Sequence, residues 1–194
     1  VFEACSMSKP VLAYAVLKLV ERGELDLDRP LDEYLGAPYL PEEPQAGRIT
    51  GRMVLAHTTG MPNWREGGWR KGGPIRLEQA PGAGFTYSGE GFLYLQRVVE
   101  RLTREPLDRF MEERLLGPLG MTRSSYVWRE ELADDFAAGH DREGEPKADR
   151  RMFDAPNAAF TLYTTPTDYA RFLIQHVRPA RGEDFTLEPA TLEA

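Results

Sequence analysis

The sequence predicts an α+β chain in which helices far outnumber strands, and three observations carry the prediction. Apolar residues recur at helical spacing, or fill short helix-length runs, in Val11 to Val20, Phe92 to Leu102, Pro106 to Leu116 and Thr165 to Leu173. Caps, glycines and prolines bracket those runs where helices begin and end. Strand-like alternation of polar and apolar residues is confined to one short stretch, Ser124 to Trp128.

Taken in order, the first helix must begin close to Ser6, because Pro10 is tolerated only near a helix start. Leu12, Ala15, Val16, Leu19 and Val20 mark it as buried, and Gly23 ends it. Pro30 to Gly47, rich in proline, glycine and acids, is predicted to be a wrapped surface loop pinned by Tyr34, Leu35, Tyr39 and Leu40. Thr50 caps a short helix to Ala56, which runs into His57-Thr58-Thr59-Gly60. Arg65 to Gly73, mixing glycine, tryptophan and basic residues, is predicted to form a mobile rim over a pocket. The turn Pro81 to Gly91 leads into the Phe92 helix. Gly117-Pro118-Leu119-Gly120 closes the Pro106 helix with a tight turn. Asp134 to Asp149 is polar and reads as an exposed loop. Thr165-Pro166-Thr167-Asp168 has the form of a capping box, so its helix should turn Tyr169, Ala170, Phe172 and Leu173 inward. After Val177 the chain is polar, with Leu187 and Leu192 as its expected contacts.

Composition narrows the function classes. With 194 residues, 41% hydrophobic and 28% charged, the chain suits one soluble domain, residues 1–194. A net charge of -7 without a Lys/Arg cluster argues against nucleic acid as a partner. The longest apolar run is too short to span a bilayer, and it lacks the flanks of a signal peptide. One cysteine excludes an internal disulfide and leaves the compartment open between cytoplasm and periplasm or export with the signal removed. His140 and His176 have no second ligand at metal spacing, so no metal or other cofactor is expected.

Three stretches carry chemistry. Ser6 and Lys9, three residues apart on a first helical turn, share a face at the spacing of a nucleophile and its base. Taken alone the spacing is weak, since most such strings are a capping serine and a solvated lysine. At the helix start Ser6 would also meet free N–H groups that favour an oxyanion. His57 reads either as a general base or, more commonly, as a histidine tying a turn together. In Pro81 to Gly91 a dinucleotide-binding pattern fails because Tyr87 stands at the third glycine and no strand leads in. The alternative is a turn that presents Tyr87, whose phenol beside an ammonium group can act as acid or base.

In this order the stretches resemble the serine beta-lactamase and penicillin-binding-protein superfamily, in particular its branch of class C beta-lactamases, D-Ala-D-Ala carboxypeptidases and lactamase-fold esterases. Ser6-Met7-Ser8-Lys9 is similar to the family's S-x-x-K, and Tyr87-Ser88-Gly89 stands where the family has Y-x-N. His57-Thr58-Thr59-Gly60, Pro81-Gly82, Pro118 to Met121 and Thr165 to Leu173 match supporting sequence. The resemblance implies a beta-lactamase/transpeptidase-like fold, with Ser6 as acylated nucleophile, Lys9 aiding its deprotonation and Tyr87 relaying protons. It implies a small-molecule ester, amide or beta-lactam as substrate.

Two departures matter. Gly89 replaces the asparagine, which points toward an esterase rather than a beta-lactamase. No K-T-G, H-T-G or H-x-G follows Val177, where the family's strand supplies the second oxyanion N–H. The expectation is therefore a domain truncated at both ends, holding mainly the helical region with the flanking sheet strands largely missing and their apolar contact face uncovered. The abrupt start at Val1 likewise suggests that an upstream segment was removed. A catalytically incomplete fragment, or a non-catalytic scaffold, is the competing expectation.

Overall fold

A computed structural model describes residues 1–147, 151–177 and 186–192. Helix α1, Ser8–Glu21, runs through the middle of the main core, with Val11, Leu12, Tyr14, Ala15, Val16 and Leu19 all buried. A helix apolar on more than one face must be covered on each, and burying a side chain of this size contributes roughly 1.5–3 kcal/mol. The helix stops where the sequence says it should. Gly23 takes φ +70°, Glu24 N–H reaches Leu19 C=O at 2.9 Å, and Gly23 N–H reaches Val20 C=O at 2.9 Å, the double bond pattern of a left-handed glycine cap.

The predicted loop Pro30 to Gly47 contains a helix, α2 (Leu31–Leu35), and a 3-10 turn over Pro44–Arg48. Five residues are too few to show a period, and tertiary contact holds them instead. Asp32 Oδ1 accepts Tyr39 N–H at 2.8 Å and also the Tyr94 hydroxyl. The four predicted anchors, Tyr34, Leu35, Tyr39 and Leu40, do pack on the core. Helix α3, Gly51–Leu55, is capped by Thr50 Oγ1, which accepts Met53 N–H at 3.3 Å. Helix α4, Gly89–Thr103, packs against α2 and α3. The predicted Pro106 helix starts as α5, Leu107–Met111, and continues as a single π turn over Glu112–Leu116, closed by Gly117 N–H on Glu112 C=O at 2.9 Å. The wider turn buries Leu115 and Leu116 side by side.

The strand prediction fails at Ser124 to Trp128. Only Ser125 forms a bridge, to Tyr163. The neighbouring side chains are committed to tertiary partners: Ser124 Oγ lies 2.7 Å from Thr164 Oγ1 and donates to Asp168 at 3.0 Å, while the Tyr126 hydroxyl donates to Ser8 C=O at 2.8 Å. The sheet that does form is a two-stranded antiparallel pair, β1 (Phe2–Glu3) with β2 (Tyr163–Thr164). Val1, Leu132, Phe153 and Tyr163 make a second, smaller core beside it.

Helix α6, Pro166–Val177, begins as predicted, with Thr165 Oγ1 accepting Asp168 N–H at 3.1 Å. The reciprocal half of the capping box does not form, because the Asp168 carboxylate turns to Arg123 N–H, Ser124 and Arg171. Of the four residues expected inward, Phe172 is buried and Tyr169 partly so, whereas Ala170 and Leu173 are exposed. Leu173 instead joins Phe2, Met7, Ile174 and Val177 among the exposed large apolar side chains. Beyond α6, Leu187 is buried with its N–H on the Tyr14 hydroxyl at 3.0 Å, and α7 spans Pro189–Leu192. The end of the 134–149 loop, residues 178–185 and the Leu192 side chain lie outside the described residues. Among those described, no helix is long and apolar enough to cross a membrane.

Candidate active site

Ser6 sits in a 3-10 turn, Cys5–Met7, directly before α1. Cys5 adopts φ +49°, a left-handed conformation that a non-glycine residue holds at a cost of order 1–3 kcal/mol. Ser8 holds it there. Its hydroxyl donates to Cys5 C=O at 2.6 Å and accepts Leu162 N–H at 3.0 Å. The bend leaves Ser6 exposed while Ser8 and Lys9 are buried, so an accessible hydroxyl stands over an enclosed amine.

Lys9 Nζ donates to Ser6 Oγ at 3.4 Å and to Ala159 C=O at 2.9 Å. It also lies 4.7 Å from the centre of the Tyr87 ring and 5.8 Å from that of Phe92. Among the described residues no carboxylate pairs with it, although buried cations are normally paired. An isolated buried cation favours negative charge on its neighbours. Burial pushes the Tyr87 phenol up, but hydrogen bonding to Lys9 and Ser6 together with the Lys9 charge outweighs it and leaves the phenol below its ordinary range. The structure thus brings together all three residues singled out from the sequence.

Tyr87 is delivered by a braced turn. Gln79 Nε2 donates to Gly84 C=O at 2.9 Å and to the Thr86 hydroxyl, and Thr86 N–H bonds His57 C=O at 2.7 Å. Ser88 then starts α4, its hydroxyl accepting Gly91 N–H at 2.9 Å and donating to Pro62 C=O at 2.8 Å. Gly60 is needed where the two turns cross: at φ +74° an added Cβ would lie 2.0 Å from Gln79 C=O.

His57 belongs to this bracing. Its Nδ1 accepts Ser88 N–H at 3.1 Å, its ring lies 4.5 Å from that of Tyr87, and burial followed by the Lys9 charge lowers its pKa. A neutral ring accepting at Nδ1 is the turn-tying role rather than that of a base for Ser6. His140 and His176 lie elsewhere, the latter against Tyr14 and Phe172, and no group able to hold a metal ion occurs among the described residues. Within the stretch read as a mobile rim, Arg65 is fastened to buried Glu90 through Nε at 3.0 Å, and Trp69 packs on Phe153.

Two parts of the site have little or no signature in the sequence. Ser8 stands unmarked between Ser6 and Lys9, and its weak helix preference is its one local signal. The Ala159 carbonyl has no side-chain signature at all. It is oriented by Asn157 Oδ1, which accepts Ala159 N–H at 2.9 Å.

Comparison with known proteins fits this geometry. The family model described as Beta-lactamase matches residues 1–193. Esterase EstB of Burkholderia gladioli is 33% identical over 182 residues, covering 80% of this chain and 45% of the relative. A putative penicillin-binding protein, PbpX, of Bacillus subtilis is 26% identical over 155 residues, covering 74% and 37%. The solved D-alanine carboxypeptidase AmpC of Burkholderia cenocepacia superposes with a TM-score of 0.76 at 27% identity, over 99% of this chain and 52% of that one. The chain spans about half or less of the length of these proteins.

Proposed function

The chain belongs to the beta-lactamase family, and from that premise we propose that it is the nucleophile-bearing part of a serine hydrolase that cleaves esters, or small amides, through an acyl-enzyme. The observation that carries the reading is the buried Lys9 amine between Ser6 Oγ and the Tyr87 ring, without a carboxylate partner among the described residues.

The steps follow from that triangle. In the form in which Lys9 has given up its proton while Tyr87 keeps its own, Ser6 Oγ attacks the substrate carbonyl as its proton passes to Lys9 Nζ. The tetrahedral oxyanion forms at the N-terminal end of α1, where backbone N–H groups and the helix dipole favour negative charge. Tyr87 donates its proton to the leaving alkoxide and recovers one from Lys9, which leaves the acyl-enzyme with both groups as they started. In deacylation water takes the place of Ser6 as nucleophile: it attacks the ester carbonyl as its proton passes to the neutral Lys9 amine, Tyr87 gives its own proton to the departing Ser6 Oγ and recovers one from Lys9, and both groups end as they started.

Two findings favour esters over beta-lactams. Gly89 offers no side-chain amide at the third position of the tyrosine motif, and the relative from Burkholderia gladioli is named an esterase. The competing reading is a scaffold that does not turn over.

Labelling with a fluorophosphonate, with p-nitrophenyl butyrate and a chromogenic cephalosporin assayed side by side, tests the proposal. Expected are modification at Ser6, faster hydrolysis of the ester than of the cephalosporin, and a fall of at least about 1000-fold in Ser6→Ala. An unlabelled Ser6, or a Ser6→Ala variant as fast as the parent, would overturn it. Labelling without turnover would favour the scaffold.

A further inference from the structure

Gly89 is a glycine for want of space, not for its backbone conformation. Its φ is not in the left-handed region, yet an added Cβ would lie 2.6 Å from Trp64 Cη2, 2.7 Å from Trp64 Cζ3 and 2.8 Å from Asn63 C=O. Real side chains essentially never approach so closely, and backbone and an indole ring fixed on both sides have little room to give. The ring is fixed. On one side Asn63 accepts Gly89 N–H through its backbone C=O at 3.0 Å and its Oδ1 at 3.1 Å, and Glu90 N–H at 3.1 Å. On the other, Arg65 holds the fully buried Glu90 carboxylate through its own N–H and its guanidinium. Trp64, between these anchors, stands edge-on to Phe160 with ring centres 6.1 Å apart.

Phe160 ties this aromatic pair to the reacting groups. It directly follows Ala159, whose carbonyl holds Lys9 Nζ. The Arg151 guanidinium lies 5.2 Å from the Phe160 ring centre and 3.9 Å from the sulfur of Cys5, the residue before Ser6. Trp64 and Phe160, both partly buried, therefore extend from the Tyr87-Ser88-Gly89 turn round to the carbonyl that holds Lys9, so that aromatic rings stand where a side chain at position 89 would project.

We infer that Trp64, seated in the space a side chain at position 89 would need and braced by Phe160, is the specificity-determining wall of an acyl subsite that takes an apolar acyl group of several carbons. The inference rests on Ser6 being the acylated residue. Such a wall attracts hydrocarbon through burial and, with glycine at position 89, offers a polar acyl substituent no side-chain amide there, and a desolvated site penalises polar groups that lose a partner.

The test is the ratio of kcat/KM for p-nitrophenyl hexanoate to that for p-nitrophenyl acetate, in the parent, Trp64→Ala and Trp64→Leu. The ratio should fall about tenfold or more in Trp64→Ala and by less in Trp64→Leu. A ratio unchanged within about twofold in both variants overturns the inference, because a purely structural tryptophan would lower both esters together. Thermal melting reads the seat without turnover. Gly89→Asn should melt well below the parent, and the same change made in Trp64→Ala should lower melting by less, the clash that remains there being with Asn63 C=O alone. A Gly89→Asn protein as stable as the parent refutes the claim on space. Fluorophosphonate labelling of the parent separates the two levels: no label on Ser6 overturns the hydrolase reading and the acyl subsite with it, and a labelled Ser6 with an unchanged ester ratio overturns the subsite alone.

Discussion

Ser6 is exposed and Lys9 enclosed although they are only three residues apart, and that contrast depends on the single left-handed residue before them. Cys5 at φ +49° turns the chain sharply, and Ser8, not either of the conspicuous pair, keeps it turned. At the same scale His57 shows how a residue with catalytic potential is spent on structure. Its φ of +55° and its Nδ1 bond to Ser88 N–H place the Tyr87 turn, and burial holds its pKa below 6.5. The folded state therefore prefers neutral histidine. The unfolded chain takes up a proton first as pH falls, so this contribution to stability is present above about pH 6.5 and is lost as pH falls through the lower folded value. Melting temperature followed from about pH 7.5 to 5.5 should drop less steeply in His57→Gln than in the parent. Equal slopes would show that the ring titrates as it does in the unfolded chain.

At the scale of elements, α4 organises the site from its N-terminus and from its middle. Ser88 caps it just after Tyr87, and in its second turn buried Gln96 reaches across to the segment that positions Lys9: Oε1 accepts Ala158 N–H at 2.9 Å and Nε2 donates to Pro156 C=O at 3.2 Å. The helix that presents the tyrosine thereby also braces the turn bearing the Ala159 carbonyl. Gln96→Leu leaves a buried N–H without its acceptor, and it should lower unfolding free energy by about 1–3 kcal/mol in urea denaturation. A loss within error would mean that the turn holds itself. Most long elements were legible in the sequence. The cap at Thr50, the glycine end of α1 and the start of α6 are local hydrogen-bond chemistry written in adjacent residues. The two strands were not legible, because two-residue strands carry no period and β1 pairs with a partner about 160 residues away.

Over the whole molecule the tyrosines report the division between core and site. Burial raises the phenols of Tyr14, Tyr39, Tyr94, Tyr126, Tyr163 and Tyr169, whereas Tyr87 is lowered. For the raised group the folded state keeps its protons while the unfolded chain releases them. Its contribution to stability is complete below about pH 10 and is lost as pH rises beyond that value. In a Tyr34→Phe background, which leaves seven of the eight tyrosines, an alkaline titration followed by tyrosinate absorbance should thus show Tyr87 ionising ahead of the six core phenols, which follow together with unfolding. Tyr87→Phe should remove the early phase alone. If the early phase survives in that variant, the charge assignment around Lys9 is wrong. Packing at this scale also explains the misread α6 face. Phe172 fills the core beside Tyr14, while Leu173, Ile174 and Val177 are exposed, Leu173 lining an open groove with Phe2 and Met7.

By itself the sequence determined the helix-rich class, the starts and stops of the long helices, and the family through the order of Ser6, Lys9 and Tyr87. Each of these depends on residues within a few positions of one another, or on their order along the chain. Only the tertiary structure decided that Lys9 is held by Ala159 C=O, that His57 braces rather than reacts, and that Gly89 yields its space to Trp64. Those outcomes join residues from about 25 to 150 positions apart, and a backbone carbonyl or an empty Cβ position has no letter of its own to read.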